Sequence, residues 1–70
     1  MENIGLRFAQ HLKKLRAKYR LTQEELADRA GISVKHVQRL ESKDPCGVRL
    51  VTLARIAKAF SISLSNLFRF

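Results

Sequence analysis

Apolar side chains recur along the chain at the spacing of α-helices, and no stretch alternates apolar and polar residues as a half-buried strand does. Near the start they are separated by four, four, three and four positions, which places them on one face of a helix. These positions are Ile4, Phe8, Leu12, Leu15 and Tyr19. Lysine and arginine occupy the opposite face, so the pattern predicts a first helix with an apolar face toward a core.

The middle of the chain carries two helix start signals and, between them, one stop signal. Thr22 and, three residues later, Glu25 form a capping-box pattern that opens a second helix, and Gly31 suits the left-handed residue that ends one. Ser33 is a natural N-cap for a third helix, from Val34 to about Ser42. Two short helices joined by a three-residue turn with a glycine predict a helix-turn-helix over residues 22–42.

The last third of the chain predicts a loop and two more helices. Residues 42–49 include Pro45 and Gly47, which favour a loop. A fourth amphipathic helix follows, with apolar positions Leu50, Leu53, Ile56, Ala57 and Phe60, and a short fifth one carries Leu64, Leu67 and Phe68. The sequence therefore predicts an all-α, compact five-helix bundle that forms a single domain over residues 1–70.

The charge points to the kind of partner. Fourteen Lys and Arg against six Asp and Glu give a net charge of +8, an excess typical of domains that bind a polyanion, although a cationic surface also serves solubility. Cys46 has no second cysteine to pair with, and no Cys/His group has the spacing of zinc ligands. No apolar run approaches the roughly 20 residues of a membrane span. We expect a cytoplasmic protein without metal or cofactor.

The segment from Gln23 to Leu40 resembles the helix-turn-helix of the Cro and phage-repressor (XRE-type) family, which includes small phage repressors and restriction–modification controller proteins. The similarity rests on Leu21-Thr22-Gln23-Glu24-Glu25-Leu26-Ala27, Gly31-Ile32-Ser33 and Arg39-Leu40-Glu41, and it extends to Thr52-Leu53, Ser63-Leu64 and Leu67-Phe68. Ala27 is small, as close crossing of two helices requires. The resemblance implies a transcriptional regulator that binds double-stranded DNA.

The resemblance also implies which residues meet DNA. The third helix would lie in the major groove, where each base pair presents a distinct pattern of donors and acceptors. Residues expected to contact bases are Ser33, Val34, Lys35 and Arg39. Residues expected to contact phosphates are Gln23, His36, Gln38, Ser42 and Lys43. For His36 and Gln38 a solvated helix face is an equally good interpretation.

Some positions have an expected structural role or depart from the family pattern. The family often pairs a base and an acid at the positions of Arg16 and Glu41, which ties the first helix to the end of the third. Arg20 and Ser61 stand where family members often have glycine, so we expect about 1 kcal/mol of backbone strain at each if φ is positive. Arg49 occupies the N-cap position of the fourth helix and is a poor cap.

Family members usually form dimers that read two half-sites. The apolar end of the chain predicts a twofold homodimer with Leu64, Phe68 and Phe70 at the interface, although closure of the core would leave only Phe70 exposed. An antitoxin or other protein-binding module, with a toxin or a polymerase as partner, remains the alternative. A membrane-surface helix is disfavoured by the capped central turn. No catalytic arrangement involves His11 or His36, so an enzyme is not expected.

Overall fold

The computed structural model describes residues 3–42 and 48–70, and the described residues contain five α-helices and no strand. The helices are α1 (Ile4–Lys18), α2 (Gln23–Ala30), α3 (Val34–Leu40), α4 (Leu50–Ala59) and α5 (Leu64–Leu67). The predicted all-α five-helix fold is confirmed. None of these helices is both long and apolar enough to cross a membrane.

One apolar core joins all five helices. Leu12, Leu26, Ile56, Leu67 and Val37 are its largest completely buried side chains, one from each helix. Ala27 and Ala30 on α2 are also buried, and their small side chains let α2 pack against both α3 and α4. The core therefore holds the helix-turn-helix on a support built from α1, α4 and α5.

The apolar face of α1 is only partly buried. Phe8 and Leu12 lie in the core, whereas Ile4 is 59% exposed and Tyr19 is 40% exposed. A helix of 15 residues is about 22 Å long, comparable with the domain's extents of 33 × 24 × 22 Å, so the two ends of α1 reach beyond the core. The expectation that all five positions face the core is thus wrong for Ile4 and holds only in part for Tyr19, whose ring lies 5.4 Å from that of Phe60.

The predicted signals around the central turn are present. The Glu25 N–H donates to Thr22 Oγ1 at 3.0 Å, and the Thr22 N–H donates to Glu25 Oε1 at 2.9 Å. The bond from the Thr22 N–H stabilises the ionised carboxylate and lowers the pKa of Glu25. Gly31 ends α2 with a φ of 70°, and the hydroxyl of Ser33 accepts the N–H of His36 at 3.0 Å. The turn between α2 and α3 is therefore fixed from both sides.

The third helix is shorter than predicted. It ends at Leu40 instead of about Ser42, because the Ser42 N–H donates to the carbonyl of Arg39, three residues back, at 3.2 Å. The other departures behave as expected. Arg20 and Ser61 have φ values of 56° and 57°, and the side chain of Arg49 makes no capping hydrogen bond. The predicted loop at 42–49 lies largely outside the described residues.

Candidate nucleic-acid interface

The exposed face of α3 forms an open groove. Ser33, Lys35, His36 and Arg39 line it, and no acidic residue does. Lys35 and Arg39 are exposed and lie four residues apart, so both project from the same face of the helix. Within residues 3–42 and 48–70, neither side chain makes a hydrogen bond or an ion pair. The structure therefore brings together three of the four residues expected to contact bases.

Val34, the fourth of those residues, lies differently. Its side chain is half-buried and packs against the apolar core. Only the outer part of the side chain is open to a partner, which suits a small apolar contact such as a thymine methyl group. Ser33 keeps its hydroxyl hydrogen free for a partner, because that hydroxyl acts as acceptor in the helix cap.

Behind this face, an ion pair ties three segments together. Arg16 donates from Nε to Glu41 Oε2 at 2.7 Å and from Nη2 to Glu41 Oε1 at 3.0 Å. Gln23 Nε2 donates to the same Oε1 at 3.1 Å, and Arg16 Nη1 donates to the carbonyl of Leu21 at 3.0 Å. We call these three side chains, Arg16, Gln23 and Glu41, the buried knot. It confirms the expected pairing of Arg16 with Glu41.

Because Glu41 is buried, its carboxylate needs the hydrogen-bond partners that the knot supplies. The side chain of Glu41 is only 2% exposed, whereas that of Arg16 is 23% exposed. The hydrogen bonds from Arg16 to the Glu41 carboxylate raise the pKa of Arg16, since they stabilise the charged guanidinium. Glu41, the acid that follows the third helix, therefore points inward, and Arg16 balances its negative charge. The groove on α3 keeps its positive charge.

The residues expected to contact phosphates are placed unequally. Gln23 begins α2 and is half-buried, with one amide hydrogen already donated to Glu41. His36 is half-buried and Gln38 is exposed, both on α3. The Ser42 hydroxyl donates to the carbonyl of Arg39 at 2.6 Å, so it must rotate before it can donate to a phosphate. Lys43 lies outside the described residues.

Two features near this surface were missed by sequence reasoning. Arg55 on α4 donates from Nη1 to the carbonyl of Gly31 at 3.2 Å, which braces the turn from α4. Arg55 also lines a second groove, with Arg29 and Lys58. No local pattern marks these residues, because their proximity arises only when α4 packs on α2.

The apolar end of the chain packs onto α1 without being covered. The Phe68 ring lies 5.9 Å from that of Phe8, and the Phe70 ring lies 5.0 Å from that of His11. Phe68 and Phe70 nevertheless remain 41% and 38% exposed, whereas Leu64 is half-buried against the core. Two aromatic side chains, and not Phe70 alone, are thus open to a partner.

A metal-binding cluster does not emerge from the described parts of the chain. Residues 3–42 and 48–70 contain no group of three or more His, Cys, Asp or Glu able to hold a metal ion. His11 and His36 lie on different helices, and His36 lines the α3 groove. What the site offers is a cationic, acid-free helix face with donors for an anionic partner.

Comparison with known proteins agrees with this geometry. No curated protein matches the chain. The model of the Cro/C1-type helix-turn-helix DNA-binding domain matches residues 11–70, which include all of α2 to α5 and about half of α1. The chain therefore belongs to the family of Cro/C1-type helix-turn-helix DNA-binding domains.

Proposed function

We propose that this protein is a sequence-specific transcriptional regulator of the repressor type, which places α3 in the major groove of an operator and catalyses no reaction. The observation that carries the proposal is the acid-free groove of Ser33, Lys35, His36 and Arg39 on an α3 whose inner side is tied to the rest of the domain by the buried knot. In this proposal the protein acts in the cytoplasm as a single domain over residues 1–70, with its helix-turn-helix at about 22–42.

Base reading is assigned to the start and middle of α3. Lys35 and Arg39 donate to O6 and N7 of guanines, for which an arginine can provide two parallel hydrogen bonds. Ser33 donates its free hydroxyl hydrogen, and Val34 meets a thymine methyl group with the exposed part of its side chain. Each well-formed pairing with a base contributes about 1–3 kcal/mol of discrimination.

Phosphate contacts hold this helix in register. Gln23 begins α2, where free N–H groups and the helix dipole favour an anion, and its second amide hydrogen remains available. The other proposed phosphate contacts are His36, Gln38, Ser42 and Lys43. The bond from Gln23 to Glu41 couples such a contact to the end of α3, so the phosphate grip also orients the reading helix.

A homodimer completes the proposed function. One module buries little surface on DNA, and two modules that read half-sites about one helical turn apart would gain the missing affinity. Leu64, Phe68 and Phe70 form the proposed interface, supported by the exposure of both phenylalanine rings. Light scattering at micromolar concentration tests this step, and a monomer mass on its own and on the operator would refute it.

Selection of bound duplexes from a random pool tests sequence-specific binding. We expect a pseudo-palindromic consensus whose half-sites lie about one helical turn apart. A dimer that neutralises roughly eight phosphates should then bind the selected duplex with a log–log salt slope near −7. Recovery of no consensus, together with an affinity that does not change with salt, would refute the proposal.

A further inference from the structure

A second cationic groove lies beside the turn that precedes α3. Arg29 from the last turn of α2 and Arg55 and Lys58 from α4 line it, together with Gly31. Asp28 is the single acid among its lining residues. The groove therefore carries three positive side chains against one negative, although none of its cations belongs to the reading helix.

Arg55 has a fixed position in this groove. Its Nη1 donates to the carbonyl of Gly31 at 3.2 Å, and this bond holds the guanidinium beside the turn. A guanidinium carries five N–H donors, so a carbonyl that takes one leaves others for an anion. Lys58 lies three residues further along α4, on the same side of the helix.

The two grooves adjoin each other. Gly31 lines the second groove and Ser33 lines the groove on α3, and two steps of the backbone separate their Cα atoms by at most about 7 Å. Together the two grooves hold five lysine and arginine side chains against Asp28. The positive surface thus continues past the N-terminal end of α3 and around the turn.

We infer that this second groove, lined by Arg29, Arg55 and Lys58, binds backbone phosphates of the DNA that flanks the sequence read by α3. The inference rests on the proposed function, because a duplex must first be seated on α3. Double-stranded DNA carries one negative charge for about every 1.7 Å of its axis, so a duplex that continues beyond the site offers phosphates to the adjoining cations. An acidic segment of a protein is the competing occupant, and the continuity of the two grooves favours DNA.

The test compares two duplexes and two matched variants of the full chain. One duplex ends at the edges of the selected site, and the other extends it by about one helical turn, roughly 10 base pairs, on each side. The variant Arg29→Gln/Lys58→Gln removes two groove charges and keeps Arg55 on Gly31. The control Lys14→Gln/Lys18→Gln removes the same charge from exposed positions on α1. Circular dichroism melting confirms that both are folded.

We expect the groove variant to bind the short duplex as tightly as the control does and the extended duplex far more weakly. Each lost phosphate contact lowers the magnitude of the salt slope by about 0.9, so two contacts in each protomer of the dimer lower it by about 3.6, which corresponds to a loss on the order of 1,000-fold or more at about 0.1 M salt. Equal affinity of groove variant and control for the extended duplex would overturn the inference and leave an acidic protein as the occupant.

The remaining outcomes are also decisive. An equal loss on both duplexes would overturn the assignment to flanking DNA, because the contacts would then lie within the site. Failure of the unmodified protein to bind either duplex would refute the proposed function itself, and with it this inference. The two failures are therefore distinguishable from one set of titrations.

Discussion

The polar groups on the two sides of α3 differ in whether they are bonded within the protein. On the inner side, the Glu41 carboxylate accepts three hydrogen bonds from Arg16 and Gln23 and is almost completely buried. On the outer side, Lys35 and Arg39 are exposed, and within residues 3–42 and 48–70 their side chains bond to nothing. The inner polar groups are satisfied within the protein, and the outer ones remain for a partner.

This difference separates stability from binding within one short helix. A seven-residue helix is too short to be stable by itself, so α3 depends on its caps, its core contacts and the buried knot. The exposed face contributes little to folding and is free to carry the residues that a DNA sequence requires. Substitutions on the inner side should therefore change stability, and those on the outer side should change affinity and sequence preference.

The largest expected effect is on the inner side, where Arg16→Met leaves the Glu41 carboxylate buried with Gln23 as its remaining partner. Loss of one partner of a buried pair costs about 3–5 kcal/mol, and the partial exposure of Arg16 places this case near the lower end. In a domain of this size that lowers the melting temperature by more than 10 °C, roughly 4–8 °C per kcal/mol. Thermal denaturation followed by circular dichroism measures it.

The matched variant Glu41→Gln removes the buried charge and keeps a side chain of the same shape. We expect it to be less destabilising than Arg16→Met, because it leaves Arg16 partly solvated and no ion buried without a partner. A melting temperature unchanged by both substitutions would show that the knot does not hold α3 in place.

The next effect is on the outer side, where Arg39→Ala and Lys35→Ala should each weaken binding to the selected operator by about 1–3 kcal/mol. Both should relax sequence preference at one base pair and leave the melting temperature unchanged, because neither side chain bonds within the described protein. Fluorescence anisotropy on operator and mismatched duplexes measures this. Lys14→Ala, with the same charge change on α1, is the control.

Gln23→Ala should affect both stability and binding. The substitution removes a bond to Glu41 and a proposed phosphate contact, so it should weaken binding to all duplexes alike and also lower stability slightly. Selective weakening on the operator alone would contradict a phosphate contact and indicate that Gln23 reads a base.

Sequence reasoning recovered the fold because its signals are local. The capping box at Thr22, the glycine before the turn and the cap at Ser33 each specify backbone geometry within four residues, and the structure has all three. The pairing of Arg16 with Glu41 spans 25 residues and came from the family resemblance alone. No local sequence pattern predicted the bond from Arg55 to Gly31, since it depends on how α4 packs on α2.

Two errors have a similar origin. Helical periodicity placed Ile4 on the core face, but periodicity does not say where along a helix the core ends. The end of α3 was set two residues too late, because no residue there is a strong helix terminator and the last turn tightens through a local bond from Ser42. The predicted DNA contacts and dimer interface remain predictions.

A smaller effect is expected at the positive-φ positions that border the helices. Arg20→Gly relieves a backbone conformation that residues with a Cβ rarely adopt, and it should stabilise the protein by about 0.5–1 kcal/mol. Gly31→Ala is the opposite change, because it adds a Cβ to a residue with a φ of 70° and places that Cβ 3.3 Å from Arg55 Nη1. The midpoint of urea denaturation should rise for Arg20→Gly and fall for Gly31→Ala. Shifts of the two midpoints in the same direction would contradict this.

The smallest effect is the pH dependence of His11, which packs against Phe70 away from both sides of α3. Burial, together with the charge of Lys14, lowers the pKa of His11 below its ordinary value of 6.5, although a hydrogen bond with the Leu67 backbone opposes this shift. The unfolded state therefore binds the proton more readily. Stability should be highest above pH 6.5 and fall as pH drops below it. His11→Gln should show a flatter profile between pH 7 and about 5, and identical profiles would contradict this.

The separation between the two sides of α3 is tested most directly by amide chemical shifts of the isotope-labelled protein during titration with the selected duplex. The account predicts that the largest shifts fall on residues 33–39 and that the Arg16 side-chain signals keep their positions, because the knot does not rearrange. Large shifts confined to α1 and α5, with residues 33–39 unaffected at saturation, would contradict it.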